Sequence, residues 1–328
     1  MHRREFIALL GGAAVAAPRV ARAEAPVKVY RLAVVSPMGL MPATNPNAQV
    51  LLGALNKLGY TVGRNLIFEG PAGLPGPALP PEEIVRQVKA RNVDVIVAWG
   101  YPVVLAAKNA GIRTVVAFGV GDPVATGLVQ SLAQPGGSVT GISDVATTLS
   151  TKRLGLLEQL LPKMNRVAML WNKDDLGMSL RYEASSKAAQ AIGVDVEAVG
   201  VREPDDFDEA FSVMDREQPD AILMVSDSLT MLNRKRVFEY AAAHRLPAIY
   251  EFDFMVHEGG LMSYGADLKE SLERAAAMVD RILRGTKPGD LPFEQPTRYL
   301  FVINLKTAKS IGLEFPPTLL ALADEVIE

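Results

Sequence analysis

Five carboxylates stand at or just after apolar runs that read as strand ends: Asp122, Asp144, Asp227, Glu251 and Asp253. Paired carboxylates in such places can move protons, cap helices or favour a cationic group on a ligand. Six aromatic residues share those positions. Trp99, Tyr101, Trp171, Tyr250, Phe252 and Tyr264 lie at or beside strand ends in a chain that is only 6 % aromatic, which suits stacking on a flat or apolar ligand, with core packing as the competing use. Metal chemistry is not expected, because His244 sits at a helix end and His257 stands beside Glu258 without a second histidine at ligand spacing. Ser226 and Ser263 lack a nucleophile-elbow context and a histidine base. Gly119 and Gly121 open a glycine-rich turn, but a third glycine at dinucleotide spacing and a following acidic strand end are missing, so no cofactor is expected. Backbone amides at helix starts after Ser36 and Ser226 could hold a carboxylate.

The elements that must position these groups alternate. Residues 114–118 (TVVAF) read as a strand buried on both faces. After them Gly119 and Gly121 turn the chain, and Asp122-Pro123 can cap and open a helix. Before this turn come strands at 28–36, 65–69 and 93–99 and helices at 47–58, 81–91 and 103–110, so the order is β-α repeated. Strands separated by such helices pair in parallel, with helices on both faces. The pattern restarts after a break near 141–148. Helices at 152–161, 179–192, 206–217 and 233–244 then alternate with strands at 166–171, 195–201 and 221–225. Strands at 247–250 and 260–264, a long amphipathic helix at 268–284, a strand at 299–303 and a helix at 305–311 complete the chain. This is an α/β chain of two lobes, each a doubly wound parallel sheet, and ligands bind where the strands of such sheets end. Facing strand ends would make a cleft that closes by hinge motion.

The bulk composition narrows the function classes. Residues 1–23 combine Arg3-Arg4, an apolar run at 8–17 and a small-residue site at Ala21-Arg22-Ala23, which reads as an export signal; the adjacent arginines followed by Phe6 resemble a twin-arginine signal, with a general secretory signal as the alternative. Its removal takes Arg3, Arg4, Arg19, Arg22 and Glu5 from 34 basic and 37 acidic residues. That leaves 30 against 36, a net charge of about −6 that opposes nucleic-acid binding. With no cysteine, a disulfide framework, a thiolate metal site, a cysteine nucleophile and a lipid-modified N-terminal cysteine are all excluded. A free periplasmic monomer is the expected state.

Five blocks occur in one order along the chain: RREFIALLGGAA (3–14), GDPV with LAQPGGSVTG (121–141), KRLGLLEQLLP (152–162), AIYEF with GGLMSYG (248–265) and the tail INLKTAKSIGLEFPPTLLALADEVIE (303–328). Together they resemble the periplasmic substrate-binding proteins of ABC transporters related to the tryptophan-type binding proteins, with a type I periplasmic-binding fold. The resemblance implies a protein that captures a small solute, an amino acid or related aromatic or apolar carboxylate, and delivers it to a membrane permease with its cytoplasmic ATPase. It implies a hinge of three crossovers, with 27–143 plus 268–287 in the first lobe and 144–267 plus 288–328 in the second. Carried over by position, the ligand would contact Ser36, the Trp99-Gly100-Tyr101 turn, the Gly121-Asp122-Pro123 turn, Asp144 near the hinge, Ser226-Asp227, and Tyr250-Glu251. The Pro/Gly-rich segment 70–80 departs from the family's polar, helix-leading sequence there. A racemase or lyase on a similar scaffold is the alternative, although such cofactor-free racemases use two cysteines that this chain lacks. A third reading is a sensing module that reports solute to a partner receptor.

Overall fold

The computed structural model describes residues 28–70, 79–143 and 146–328. The expected export signal at 1–23, Asp144 and most of the 70–80 loop lie outside the described residues. The first run of elements is β1 (Tyr30–Ser36), β2 (Gly39–Leu40), α1 (Pro46–Lys57), β3 (Leu66–Phe68), α2 (Pro81–Ala90), β4 (Val95–Trp99), α3 (Tyr101–Asn109), β5 (Val115–Phe118) and β6 (Val139–Gly141). The second is α4 (Ala146–Leu160), β7 (Arg166–Asn172), α5 (Leu176–Ala191), β8 (Asp195–Val201), α6 (Asp206–Glu217), β9 (Ala221–Met224), α7 (Ser228–Leu232), α8 (Arg234–Ala243), β10 (Ala248–Tyr250), α9 (Asp253–His257) and β11 (Met262–Ala266). The chain ends with α10 (Leu268–Leu283), β12 (Tyr299–Asn304), α11 (Leu305–Ile311), α12 (Pro317–Leu322) and β13 (Glu325–Ile327).

These elements form two sheets. In the first, β1 lies between β3 and β4, and β5 and β6 follow in order, all in parallel. Among the described strands of this sheet only β2 runs antiparallel, as a short hairpin onto the end of β1. The second sheet runs β13-β12-β11-β10-β9-β7-β8, with the β11–β12 pair antiparallel. Alternation along each strand feeds two cores per sheet. In the first sheet Leu32, Val34, Val95 and Val97 pack under α1 and α10, while Ala33, Val35, Ile96 and Ala98 pack under α2 and α3. In the second, Val167 and Met169 face α4, α5 and α11, whereas Ala168 and Leu170 face α6 and α8.

The chain crosses between the sheets three times. One crossover follows β6, one joins β11 to α10 and one precedes β12. The return to the first sheet runs further than the expected boundary at 287/288. Residues 288–294 stay with that sheet, because Thr140 Oγ1 donates to Leu291 O at 2.9 Å, Phe293 N donates to Leu132 O at 2.7 Å, and Phe293 is buried in the α2/α3 core. The crossovers are laced together. Ser143 N donates to Glu294 O at 2.8 Å, Asp267 N donates to Arg298 O at 3.0 Å, and Arg274 Nε donates to Glu294 at 2.8 Å.

Two local expectations fail for identifiable reasons. Asp122-Pro123 does not open a helix: Asp122 Oδ1 accepts from Val124 N and Ala125 N at 2.9 and 3.0 Å and closes a turn, which Gly127 ends at φ 73°. The residues after Ser36 start a hairpin instead of a helix, and α1 begins only at Pro46, capped by the Asn45 side chain.

Candidate functional site

The wall contributed by the first sheet is built from main chain and aromatic rings. Ser36 is buried at the end of β1, where its Oγ accepts from Met38 N at 3.2 Å. Trp99 is half-buried and stacks on Phe118 with centroids 4.8 Å apart. Gly100 (φ 84°) then turns the chain into α3, placing Tyr101 at its first position with its hydroxyl donating to Thr126 O at 3.4 Å. Gly121 follows β5 at φ 70°, and Ser143 Oγ donates to its carbonyl at 3.3 Å. Pro123 is buried beneath the turn, while the Asp122 side chain is exposed.

The wall from the second sheet holds the charge. Asp227 caps α7, its Oδ1 accepting from Thr230 N at 2.8 Å and its Oδ2 from Asn172 Nδ2 at 2.6 Å. Ser226 beside it is buried against Met255. Asp175 caps α5, accepting from Met178 N at 3.3 Å, and is only 4 % exposed. Burial pushes its carboxyl up to about 6, and the neighbouring Asp227 carboxylate adds to the rise against the opposing pull of the Met178 and Gly177 amides.

Below this wall lies a buried ionic cluster. Glu251, 5 % exposed, accepts from Arg153 Nη1 at 2.9 Å and from Arg181 Nη1 at 3.1 and 3.2 Å. The arginines are 2 % and 1 % exposed, and Arg153 Nε also donates to Tyr264 O at 2.7 Å. Burial pulls the Arg153 guanidinium below its ordinary value, and the Glu251 charge works against that pull. Gly265 lets β11 pass this point, since a Cβ there would overlap the Glu251 carbonyl oxygen. The cluster therefore ties α4, which follows the first crossover, to α5, to the end of β10 and to the strand that leads into the second crossover.

The two walls come into contact at the backbones of Gly121 and Gly177. A Cβ built on Gly121 would lie 3.4 Å from Gly177 Cα, and one on Gly177 would lie 3.3 Å from Val120 O and 3.2 Å from Asp175 Oδ1. Ser36, Trp99, Gly100, Tyr101 and Gly121 thus line strand ends of one sheet, and Ser226 and Asp227 those of the other. Tyr250 does not join them. It is 1 % exposed, packs edge-on to Phe238 at 5.0 Å in the α6/α8 core, and burial pushes its phenol up. Glu251 faces its two arginines. Trp171 is likewise a core residue, stacked on Tyr182 at 3.9 Å.

Asn172, Asp175, Gly177, Arg153 and Arg181 were not among the expected site residues. The arginines carried a readable signal: Arg153 shares a helical face with Leu149, Leu156 and Leu157, and Arg181 one with Met178 and Ser185, all of them buried. Charge on a buried face calls for a buried partner. Among the described residues no group of histidine and carboxylate side chains could hold a metal ion.

A two-sheet α/β molecule with facing strand ends and three laced crossovers is the architecture of a type I periplasmic binding protein. The chain belongs to the family described as ABC transporter substrate binding protein, whose model matches residues 34–327. It is a substrate-binding protein and not an enzyme, and family membership implies a small-molecule ligand and an ABC transporter partner. It is similar to the tyrosine-binding protein of Clostridioides difficile (strain R20291), with 25 % identity over 234 residues, 71 % of this chain and 67 % of that protein. Among solved structures, a conserved domain protein from Vibrio cholerae aligns with a TM-score of 0.82 and 27 % identity over 91 % of this chain and 100 % of that one. An ABC domain from Streptococcus pneumonia in complex with L-Trp aligns with a TM-score of 0.78 and 23 % identity over 92 % of this chain and 100 % of the other, a likeness of fold.

Proposed function

We propose that the protein is the periplasmic solute-binding component of an ABC importer, taking an amino acid or related aromatic or apolar carboxylate between its lobes and delivering it to a permease with its ATPase. It acts as a monomer, is exported by the signal at 1–23, which is cleaved near Ala23, and binds no nucleic acid. The observation that carries this reading is the pairing of an aromatic, main-chain wall at Ser36, Trp99, Gly100, Tyr101 and Gly121 with a charged wall at Asn172, Asp175, Ser226 and Asp227. An aromatic amino acid has both halves of that complement, a flat apolar body and a cationic ammonium. The name of the Clostridioides difficile relative agrees with that class. The hinge would close over the solute because the ligand must touch both lobes to shift the equilibrium.

Titration calorimetry with L-tryptophan, L-tyrosine and a panel of other amino acids and organic acids tests the assignment. One-to-one binding without consumption of the solute is expected, together with a raised Tm. If no member of the panel binds, the ligand class is wrong.

A further inference from the structure

We propose that Gly177 is the residue that permits the lobes to close: it is the point on the second lobe against which the Val120–Gly121 turn comes to rest, and a side chain there would hold the cleft ajar. The inference rests on the binding-protein reading above. Gly177 is buried in the first turn of α5, at a helical φ that any residue can adopt, so its backbone does not require glycine. Space does. A Cβ would sit 3.3 Å from Val120 O on the opposite lobe and 3.2 Å from Asp175 Oδ1 on its own. The two neighbours differ: the Asp175 carboxylate is a side-chain end that can give by the few tenths of an ångström needed, whereas Val120 O is main chain following β5 and cannot. Separation of the lobes relieves the contact across the cleft at no cost to either core. The contact is also met from the other side by a glycine, Gly121, so two backbones approach without side chains between them. Gly155, inside α4, supplies the contrast: a Cβ there meets nothing within 4 Å.

Gly177→Ala replaces a poor helix former with the best one. The free protein should therefore keep or raise its Tm while losing closure, a combination that a purely structural role would not produce. Because the chain has no cysteine, a pair can be introduced at Val124→Cys and Leu176→Cys. These positions are 41 % and 46 % exposed and flank the contact from the two lobes. A short bismaleimide is expected to bridge them faster the more the lobes close, so the rate of cross-linking reads closed excursions whether or not a ligand is present. In this background Gly177→Ala should slow cross-linking roughly tenfold, the effect of a modest overpacking penalty on the closed state alone. Gly155→Ala should cross-link at the parent rate. L-Tryptophan or L-tyrosine should accelerate the parent and bind Gly177→Ala roughly tenfold more weakly, because affinity scales with the competent population. An unchanged cross-linking rate in Gly177→Ala overturns the inference, as does a slowed rate accompanied by a fall in Tm, which would assign Gly177 to folding. If neither amino acid accelerates the parent while Gly177→Ala still slows it, the ligand assignment falls and the closure role stands.

Discussion

The two walls of the cleft are made of different materials. On the first sheet the strand ends present Ser36, Trp99, Gly100, Tyr101 and Gly121, with the exposed Asp122 carboxylate capping its own turn. On the second sheet the strand ends and the layer beneath them hold Asp175, Asp227 and Glu251, with Arg153 and Arg181. One wall can recognise shape and main-chain polarity. The other can recognise charge, and its charged groups are fixed before a ligand arrives by caps, by Asn172 and by the arginines. Such prior fixing lowers the ordering cost of binding. A ligand that combines a flat body with a charged end is therefore the kind that needs both walls at once.

Four substitutions would break or sharpen this contrast. The largest effect belongs to Glu251→Ala, which removes the carboxylate shared by Arg153 and Arg181. We expect a loss of about 3–5 kcal/mol in denaturant unfolding, because breaking a buried ion cluster leaves its charge uncompensated. A loss below about 1 kcal/mol would mean that the second wall is not built on this cluster.

Asp175→Asn works in the opposite direction. The carboxyl of Asp175 is raised from 3.8 to about 6 in the folded protein. The protonated form is thus the one that folding favours, and its contribution is complete below the unfolded value and lost as pH climbs through about 6. Asparagine keeps the helix cap without the charge, so at neutral pH the variant should be more stable by up to about 3 kcal/mol. The part of the stability profile between pH 4 and 6 that Asp175 causes should flatten. Unfolding curves at several pH values check this, and an unchanged slope would remove Asp175 from the buried wall.

Trp99→Ala probes the other side. The ring is half-buried and its stack on Phe118 is worth about 1 kcal/mol beyond the area covered. A stability loss of about 2 kcal/mol is expected, together with a clear fall in affinity for aromatic amino acids by calorimetry. Equal affinity before and after would show that the first wall does not stack on the ligand. Asp122→Asn should do least: the side chain is exposed and asparagine caps the same turn, so stability should stay within about 0.5 kcal/mol. Ligand affinity should also be unchanged. A tenfold loss of binding would return Asp122 to the cleft.

Much of the fold could be read along the chain, because strands buried on both faces and helices with one apolar stripe have different periods. The strand at 195–201 and the helices at 206–217 and 305–311 fall where the pattern puts them. The short helices α9 and α12 and the terminal strand β13 did not stand out, being too brief for a period to repeat. The site was readable by position but not by direction. Tyr250 and Glu251 are neighbours at one strand end, yet alternate geometry sends the first into one core and the second to the arginines.

What the amino-acid sequence settled by itself is the order of the longer elements, the places where their strands end and the absence of cysteine chemistry, since these depend on local spacing and residue type. Tertiary structure decided which charges are buried together and where the two lobes meet. Arg153 and Glu251 lie 98 residues apart, and Arg181 and Glu251 lie 70 apart, and Gly121 meets Gly177 only because two separate sheets bring their strand ends face to face. Burial of a charge and close approach of two backbones are properties of assembled surfaces, and no local pattern encodes the partner.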